Sequence, residues 1–158
     1  MYLKRIYYLR VIKIPVRGKL TEKSKYTVRS DREMPEYIAV FTVGGIIYGL
    51  LEVLWRGWTH WTMLICGGVC FTLMYLIACT SMRTAQKLIA SAATITSVEF
   101  VTGCIVNLTL GMGVWDYSSL PFDLMGQICP RFSLMWLGLS VPGLCLCRLM
   151  RHIFSKTQ

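Results

Sequence analysis

Residues 35–54 read PEYIAVFTVGGIIYGLLEVL, and the only charged side chains among these 20 residues are those of Glu36 and Glu52. An α-helix rises about 1.5 Å per residue, so roughly 20 apolar residues are enough to cross the roughly 30 Å hydrocarbon core of a bilayer. The stretch is long enough and apolar enough to predict a transmembrane helix, with Glu52 close to one of its ends.

Three more apolar stretches follow along the chain. They cover residues 61–79, 88–110 and 132–150; the second of these three is the most polar, and the last contains Arg148 near its end. Hydrophobic residues make up 54% of the 158 residues and charged residues only 16%, whereas soluble domains usually carry about 25% charged residues. The sequence therefore predicts an all-α fold, a polytopic membrane helix bundle with about four transmembrane helices.

Positive charge is concentrated ahead of the first apolar stretch. Residues 1–34 hold ten of the 17 Lys and Arg residues, and a short basic segment covers residues 151–158. A net charge of +9 suggests nucleic-acid binding at first sight, but a basic end joined to a long apolar remainder is typical of a juxtamembrane arm that attracts anionic lipids. We therefore predict a basic cytoplasmic arm (1–34), a membrane domain (35–150), a basic cytoplasmic tail (151–158) and no nucleic-acid partner. The arm is too long for a signal peptide, and no small-residue cleavage site follows a short apolar core.

The basic residues also predict the orientation. With the N-terminus inside the cell, 15 Lys and Arg lie on the inner side, and only Arg56 and Arg131 lie on the outer side. Cytoplasmic segments of membrane proteins carry the excess of Lys and Arg, so an even number of crossings places both termini in the cytoplasm of a plasma-membrane protein. Four tryptophans fall at the outer boundary, where amphipathic rings prefer to lie: Trp55, Trp58, Trp61 and Trp115.

The third apolar stretch contains the side chain that a membrane tolerates least. Glu99 lies near its centre, and ionisable residues inside a span are rare and usually face a protein partner or a water-filled cavity. On a helix of 3.6 residues per turn it shares one stripe with small and polar residues: Ala92, Thr96, Thr102, Gly103 and Asn107. Two interpretations stay open, a carboxyl that joins helices by hydrogen bonds or an acid at a functional site.

Two pairs stand out in the first span. Gly45 and Gly49 form a G-x-x-x-G motif, which lets two helices approach closely. Glu52 and Arg56 are four residues apart on the same helix, and this spacing predicts an ion pair near the outer surface.

Residues 111–131, between the last two spans, read GMGVWDYSSLPFDLMGQICPR. A solvated loop would be more polar, and a transmembrane helix would not hold two prolines and two aspartates. We interpret the segment as interfacial or partly re-entrant, lying over the bundle, which requires that protein or water satisfy its backbone. Asp116, followed by Tyr-Ser-Ser, has the sequence of an N-cap for a short helix.

These observations lead to one site hypothesis. We expect a polar cavity, open or gated on the outer side and lined by Glu52, Glu99, Asn107 and Asp116. The wider set of candidate residues comes from the spans and from the segment above them: Glu52, Arg56, His60, Glu99, Thr102, Asn107, Trp115, Asp116, Tyr117 and Asp123. By itself, His60 reads better as an interface residue than as a ligand.

The cysteines and carboxylates do not form a recognisable chemical motif. The seven cysteines match no disulfide framework or zinc-site spacing, so we expect no metal and no cofactor. The carboxylates Glu52, Glu99 and Asp116 lack a nucleophile motif or a histidine cluster, so an enzyme is not expected.

Two strings resemble a known family. They are YGLLEVLWRGWTHWTMLICGGVCF at residues 48–71 and EFVTGCIVNLTLGMGVWDYSSLPFDLMGQICPRFSLMW at residues 99–136. They resemble the CmpB-type family of small bacterial membrane proteins, which are classed as ABC-transporter permeases. The family hallmarks are a Glu that closes the first span, an E-[FY]-x-T-G motif and a W-D-Y-S-x-L-P-F-[ND]-x-x-G-x-I-C segment. They match Glu52; Glu99, Phe100, Thr102 and Gly103; and Trp115, Asp116, Tyr117, Ser118, Leu120, Pro121, Phe122, Asp123, Gly126, Ile128 and Cys129.

The resemblance covers roughly residues 35–145 and has two departures. Asp123 stands where Asn is more usual, and Pro130 and Arg131 stand where Leu-Pro is expected. The basic arm is not part of the resemblance, and Met34 lies where many relatives begin. We therefore expect residues 1–33 to be dispensable for insertion.

The resemblance implies a transporter or permease component of unknown substrate. The chain has no G-x-x-x-x-G-K-[ST] motif, so an ATPase would be a separate subunit, and four spans enclose little of a pathway, so partners or a homo-oligomer are expected. A lipid-binding or partner-modulating membrane protein is the main alternative, and a membrane-embedded enzyme is the weakest of the three readings.

Overall fold

The computed structural model describes residues 22–157, and their side chains from residue 34 to residue 156. Four long helices follow one another: α1 (Glu22–Arg56), α2 (Trp61–Ala78), α3 (Thr84–Gly103) and α4 (Pro130–Thr157), and α3 continues directly into a π-helical turn, Cys104–Thr109. Within the described range there is no β-strand, only an isolated bridge between Leu124 and Ile128. The prediction of an all-α fold is confirmed.

The chain forms two compact units, Met1–Arg32 and Glu33–Gln158. The predictions made for the first 21 residues of the basic arm lie outside the described residues.

Four segments are long and apolar enough to cross a membrane: Met34–Arg56, Trp61–Ala78, Thr84–Thr109 and Pro130–Lys156. The predicted number of spans is therefore confirmed. The third begins four residues before the predicted start at 88, because the Gln86 side chain accepts a hydrogen bond from the Arg83 backbone N–H (3.0 Å) and closes the first turn. Lys87, which precedes the span predicted at residues 88–110, lies inside α3, and its Nζ donates to the Ala78 carbonyl at the end of α2 (2.7 Å).

Large apolar side chains cover the outside of the bundle. Leu54, Leu134 and Ile89 are 83%, 69% and 64% exposed, and many more like them are exposed along all four helices. Soluble monomers rarely expose extended apolar surface, whereas a helix in lipid must. The chain is a multi-pass membrane protein.

Helices α1 and α2 pack through glycines. A Cβ on Gly45 would lie 2.6 Å from the Leu64 carbonyl oxygen, and one on Gly49 would lie 2.5 Å from Leu64 Cδ2. Helix α2 also contributes a glycine to this contact, because a Cβ on Gly67 would overlap Tyr48. The G-x-x-x-G prediction is confirmed, and the close approach brings Tyr48 toward the bundle interior.

The polar stripe of α3 faces protein, as predicted. Thr96 Oγ1 donates to Ser133 Oγ on α4 (3.3 Å), and Thr102 Oγ1 donates to Cys66 Sγ on α2 (3.7 Å). Glu99 is buried, with 5% of its surface exposed. The stripe therefore joins α3 to its neighbours rather than facing lipid.

Short connections make the helices alternate in direction. Residues 57–60 join α1 to α2, residues 79–83 join α2 to α3, and residues 110–129 join α3 to α4. The first and third connections therefore lie at one end of the bundle, which we name the cap end. We name residues 110–129 the cap, and the end at residues 79–83 the opposite end.

The cap is built of turns. Tyr117 N–H donates to the Gly126 carbonyl (2.8 Å), and Leu124 N–H donates to the Ile128 carbonyl (2.9 Å). Gly126 has a φ of +69°, which glycine adopts without strain. Pro130, one of the two departures from the family pattern, is the first residue of α4, where the missing N–H removes no helical hydrogen bond.

Candidate functional site

Glu99 connects three helices through its two carboxyl oxygens. Tyr48 Oη of α1 donates to Oε1 (2.5 Å), and Trp136 Nε1 of α4 donates to Oε2 (2.6 Å). The two aromatic rings are stacked, with centroids 5.4 Å apart and an interplanar angle of 25°. Glu99 of α3 is thus held between a pair of rings that bridges α1 and α4.

The surroundings of Glu99 supply hydrogen bonds but no positive charge. Both of its donors are neutral groups, and within the described part of the chain no Lys, Arg or His side chain is hydrogen-bonded or ion-paired to it. A buried carboxylate costs several kcal/mol unless it is paired or protonated. Glu99 is therefore suited to take up a proton or a cation.

Asn107 fixes the cap to the end of α3. Its Nδ2 donates to the Trp115 carbonyl (3.0 Å) and to Gln127 Oε1 (2.8 Å), and its Oδ1 accepts from the Val114 N–H (2.7 Å). The π-helical turn that contains Asn107 widens the backbone at this point, as π-turns often do near functional sites. Asn107 is committed to the cap backbone on both of its polar atoms.

Trp115 and Gln127 form the buried inner layer of the cap. Trp115 Nε1 donates to the Gln127 carbonyl (3.0 Å), and only 8% and 3% of the two residues are exposed. A Cβ on Gly103 would lie 2.5 Å from Gln127 Oε1, so glycine is needed there for the cap to seat on α3. Trp115, which was predicted to lie at the membrane boundary with the other tryptophans, is buried within the cap, whereas Trp55, Trp58 and Trp61 are exposed.

Glu52 and Arg56 tie α1 to the cap. The predicted ion pair is present, and Arg56 Nη1 also donates to the Val114 carbonyl (2.7 Å). The guanidinium lies over the Trp58 ring, 4.3 Å from its centroid. Val114 therefore receives one bond from α1 and gives one to Asn107, which locks the cap between two helices.

Tyr117 of the cap lies within electrostatic range of Glu52 and Glu99. Its ring stacks on Phe132 at the start of α4, with centroids 4.5 Å apart. Burial raises the pKa of the Tyr117 phenol, the carboxylates of Glu99 and Glu52 raise it further, and the Arg56 guanidinium lowers it. Glu52, Arg56 and Glu99 therefore each lie close enough to Tyr117 to influence its phenol.

The other candidates have local bonding roles. Asp116 is exposed and accepts bonds from Ser118 N–H (2.8 Å) and Ser118 Oγ (3.0 Å), so it closes a turn, and the predicted short helix is absent from the cap. Asp123 accepts from the Gly126 N–H (2.7 Å). His60 Nδ1 caps the first turn of α2 by accepting from the Thr62 N–H (3.4 Å). Thr102 is engaged with Cys66, as described above.

Two cavities adjoin the described bundle. One, of about 460 Å³, lies between α2 and α3 and has an apolar lining with Thr62, Cys66, Ser97 and Thr102. The other, of about 320 Å³, is lined by α1, α2, α4 and Ile95 of α3, and Tyr48 and Trp136 are among its walls; we name it the α1–α4 cavity. Glu52, Glu99, Asn107 and Asp116 line neither of these two spaces. The single polar cavity that they were expected to share stays a prediction.

Sequence reasoning missed three residues that organise the site: Tyr48, Trp136 and Gln127. Tyr48 and Trp136 are in the quoted strings, but an aromatic residue in an apolar span predicts packing unless its partner is known. Gln127 is at a variable position of the third hallmark, where its only signal is an amide between apolar neighbours.

The absence of a metal site also stays a prediction. In the part of the chain that the structure describes, no three His, Cys, Asp or Glu side chains come together in a way that would hold a metal ion. Among the cysteines of this part, Cys66 and Cys70 are buried on α2 as free thiols.

Comparison with known proteins gives one match. The family model described as "Putative ABC-transporter type IV" matches residues 40–157, which is most of the 158-residue chain. No curated protein matches the chain, and no solved structure matches it.

Proposed function

Because the chain belongs to the family described as "Putative ABC-transporter type IV", we propose that it is the membrane-embedded component of a transport system and acts with a separate ATPase subunit or as an oligomer. The observation that carries the proposal is the carboxyl of Glu99, buried inside a transmembrane helix and bonded to neutral groups only.

The cost of this carboxyl favours a functional role. A charged residue at the centre of a transmembrane helix costs about 3 kcal/mol or more to insert. Neutral side chains can join helices at a lower cost. Thr102 and Cys66 do so between α3 and α2. Retaining an ionisable group here makes sense if its charge or its proton is used.

The cap supports a directional role. It is held to α1 through Arg56 and to α3 through Asn107 and Gln127, so the cap covers one end of the described bundle. Four helices enclose little space, which is why we propose that partners or further copies complete the pathway. The exposed apolar side chains of α1 and α4, such as Leu50 and Leu134, provide surface for such contacts within the membrane.

We also propose that the cap faces the outside of the cell. Several exposed basic residues lie toward the opposite end: Arg83, Arg148, Arg151 and Lys156. By the rule that basic segments stay in the cytoplasm, this end faces inward, and it is the end that an ATPase subunit would contact.

Purification from native membranes tests the proposal. The protein carries an affinity tag after Gln158, is crosslinked in the membrane and extracted, and its partners are identified by mass spectrometry. We expect an ATP-binding subunit and vanadate-sensitive ATP hydrolysis in the purified complex.

The Glu99→Gln variant should retain the partner and lose most of the hydrolysis that depends on transport. Glu36→Gln is the matched control, because Glu36 also binds a tyrosine, Tyr75, but does so at the opposite end of the bundle. Crosslinked complexes that contain neither an ATP-binding subunit nor a second copy of the chain would contradict the proposal.

A further inference from the structure

The α1–α4 cavity lies at the depth of the membrane, since every residue that lines it belongs to a transmembrane segment. Its volume is about 320 Å³, and it is partly open to the outside of the bundle. Most of its walls are aliphatic or aromatic, with Leu51 from α1, Phe71 from α2 and Leu139 from α4 among them. Such walls favour a ligand with apolar groups.

Two residues that line this cavity also carry polar groups. Tyr48 and Trp136 line it, and the hydroxyl of the first and the indole N–H of the second both donate to Glu99. The carboxyl therefore lies at the polar edges of the two rings. A ligand in the cavity contacts two aromatic rings whose polar groups are hydrogen-bonded to one ionisable carboxyl.

This combination favours one sign of charge. Aromatic faces attract cations, and a carboxylate in a medium of low dielectric attracts a cation far more strongly than it would in water. No basic side chain of the described residues neutralises Glu99. An anion would be repelled, and a neutral lipid chain would gain nothing from the carboxyl.

We propose that the α1–α4 cavity binds a lipophilic organic cation, whose apolar groups contact the aliphatic walls and whose charge lies against Tyr48 and Trp136, with Glu99 as the counter-charge. The inference deepens the proposed function, because it names the class of substrate that the transport component would carry. Binding of the ligand, however, needs no ATPase.

Two probes of the same size and opposite charge test the inference: tetraphenylphosphonium and tetraphenylborate. The purified protein is placed in nanodiscs of phosphatidylcholine, and saturable binding of each probe is measured by equilibrium dialysis, with empty nanodiscs subtracted. We expect saturable binding of tetraphenylphosphonium and none of tetraphenylborate. Equal binding of the two, or no saturable binding of either, would overturn the inference without recourse to any variant.

Variants then locate the counter-charge. Glu99→Gln should weaken tetraphenylphosphonium binding by about tenfold or more, since it removes the charge and keeps the shape. Trp136→Phe should also weaken binding, because it replaces the better cation-binding ring. Glu36→Gln should bind like the wild type.

Unchanged binding in Glu99→Gln would show that the cavity takes apolar groups regardless of charge, as a lipid chain would, and would overturn the inference. Failure here is separable from failure of the proposed function. An ATP-binding partner without probe binding would reject the cation only, and probe binding without such a partner would reject the ABC assembly only.

Discussion

At the scale of single residues, hydrogen-bond satisfaction decides what a substitution does. Glu99 satisfies Tyr48 Oη and Trp136 Nε1 at once. A buried donor that loses its acceptor costs about 1–3 kcal/mol. A substitution at Glu99 that removes only the charge should therefore cost less stability than one that also removes the hydrogen-bond acceptors.

Glu99→Gln should be folded, because its amide oxygen still accepts from Trp136 and the Tyr48 hydroxyl can turn to accept from the amide NH₂. Glu99→Leu leaves both donors unpaired, and we expect it to lower the free energy of unfolding by about 2–6 kcal/mol relative to Glu99→Gln. Fluorescence-detected size exclusion after heating, with both variants in the same detergent, measures the difference. Equal thermal stability of the two would show that the bonds at Glu99 contribute nothing to the assembly of the helices.

At the scale of elements, close approach decides how the cap seats on the helices. Gly103 of α3 lies against Gln127 Oε1, whereas a Cβ on Gly138 of α4 would meet nothing within 4 Å. The same substitution at these two helical glycines therefore has opposite consequences.

Gly103→Ala should push Gln127 away, break its bond to Asn107 and destabilise the cap by about 1–3 kcal/mol, as overpacking does in other cores. Gly138→Ala should be neutral or stabilise α4 by up to about 1 kcal/mol, because alanine is the better helix former. Limited proteolysis in the cap, together with thermal unfolding, measures both. A Gly103→Ala protein with a cap as protease-resistant as that of Gly138→Ala would contradict the close packing described here.

At the scale of the whole molecule, the distribution of charge predicts the orientation in the membrane. Ser118 is exposed in the cap and Ser155 is exposed near the end of α4, at opposite ends of the same bundle. Because the helices alternate in direction, the orientation of one end fixes that of the other.

Reporter fusions after residues 25 and 155 should be active on the cytoplasmic side, and a reporter inserted at Ser118 should be active outside, as the split of 15 basic residues against two predicts. A fusion in the 57–60 connection, also at the cap end, provides the control. An outward signal at residue 155 together with an outward signal at Ser118 would be inconsistent with four spans.

Deletion of residues 1–33 should leave a protein that starts at Met34, inserts and folds, because the second compact unit begins at Glu33 and the family match begins at residue 40. Attraction to anionic lipid should fall, by about 1 kcal/mol for each basic residue that lay near the surface. Flotation with vesicles that contain or lack anionic lipid measures this loss. Failure of the shortened chain to insert would show that the arm is needed for the fold.

Membrane architecture is the part of this protein that sequence alone determined. The spans, the ion pair of Glu52 with Arg56 and the glycine contacts of α1 are confirmed. Each depends on spacing within one helix or on the apolar length of one segment, and both are fixed by local geometry. The polar stripe of α3 could be predicted for the same reason.

Tertiary structure decided which side chains complete each other across helices. Glu99 was a candidate from its position alone, but Tyr48 and Trp136, which are 51 and 37 residues away along the chain, became its partners only through the packing of α1 and α4. Trp115 could not be distinguished in the sequence from the exposed tryptophans, but it is buried, because Asn107 donates to its carbonyl and its indole N–H donates to the Gln127 carbonyl. A hydrogen bond between distant residues depends on the register and rotation of both helices, and neither is encoded in the spacing of either helix by itself.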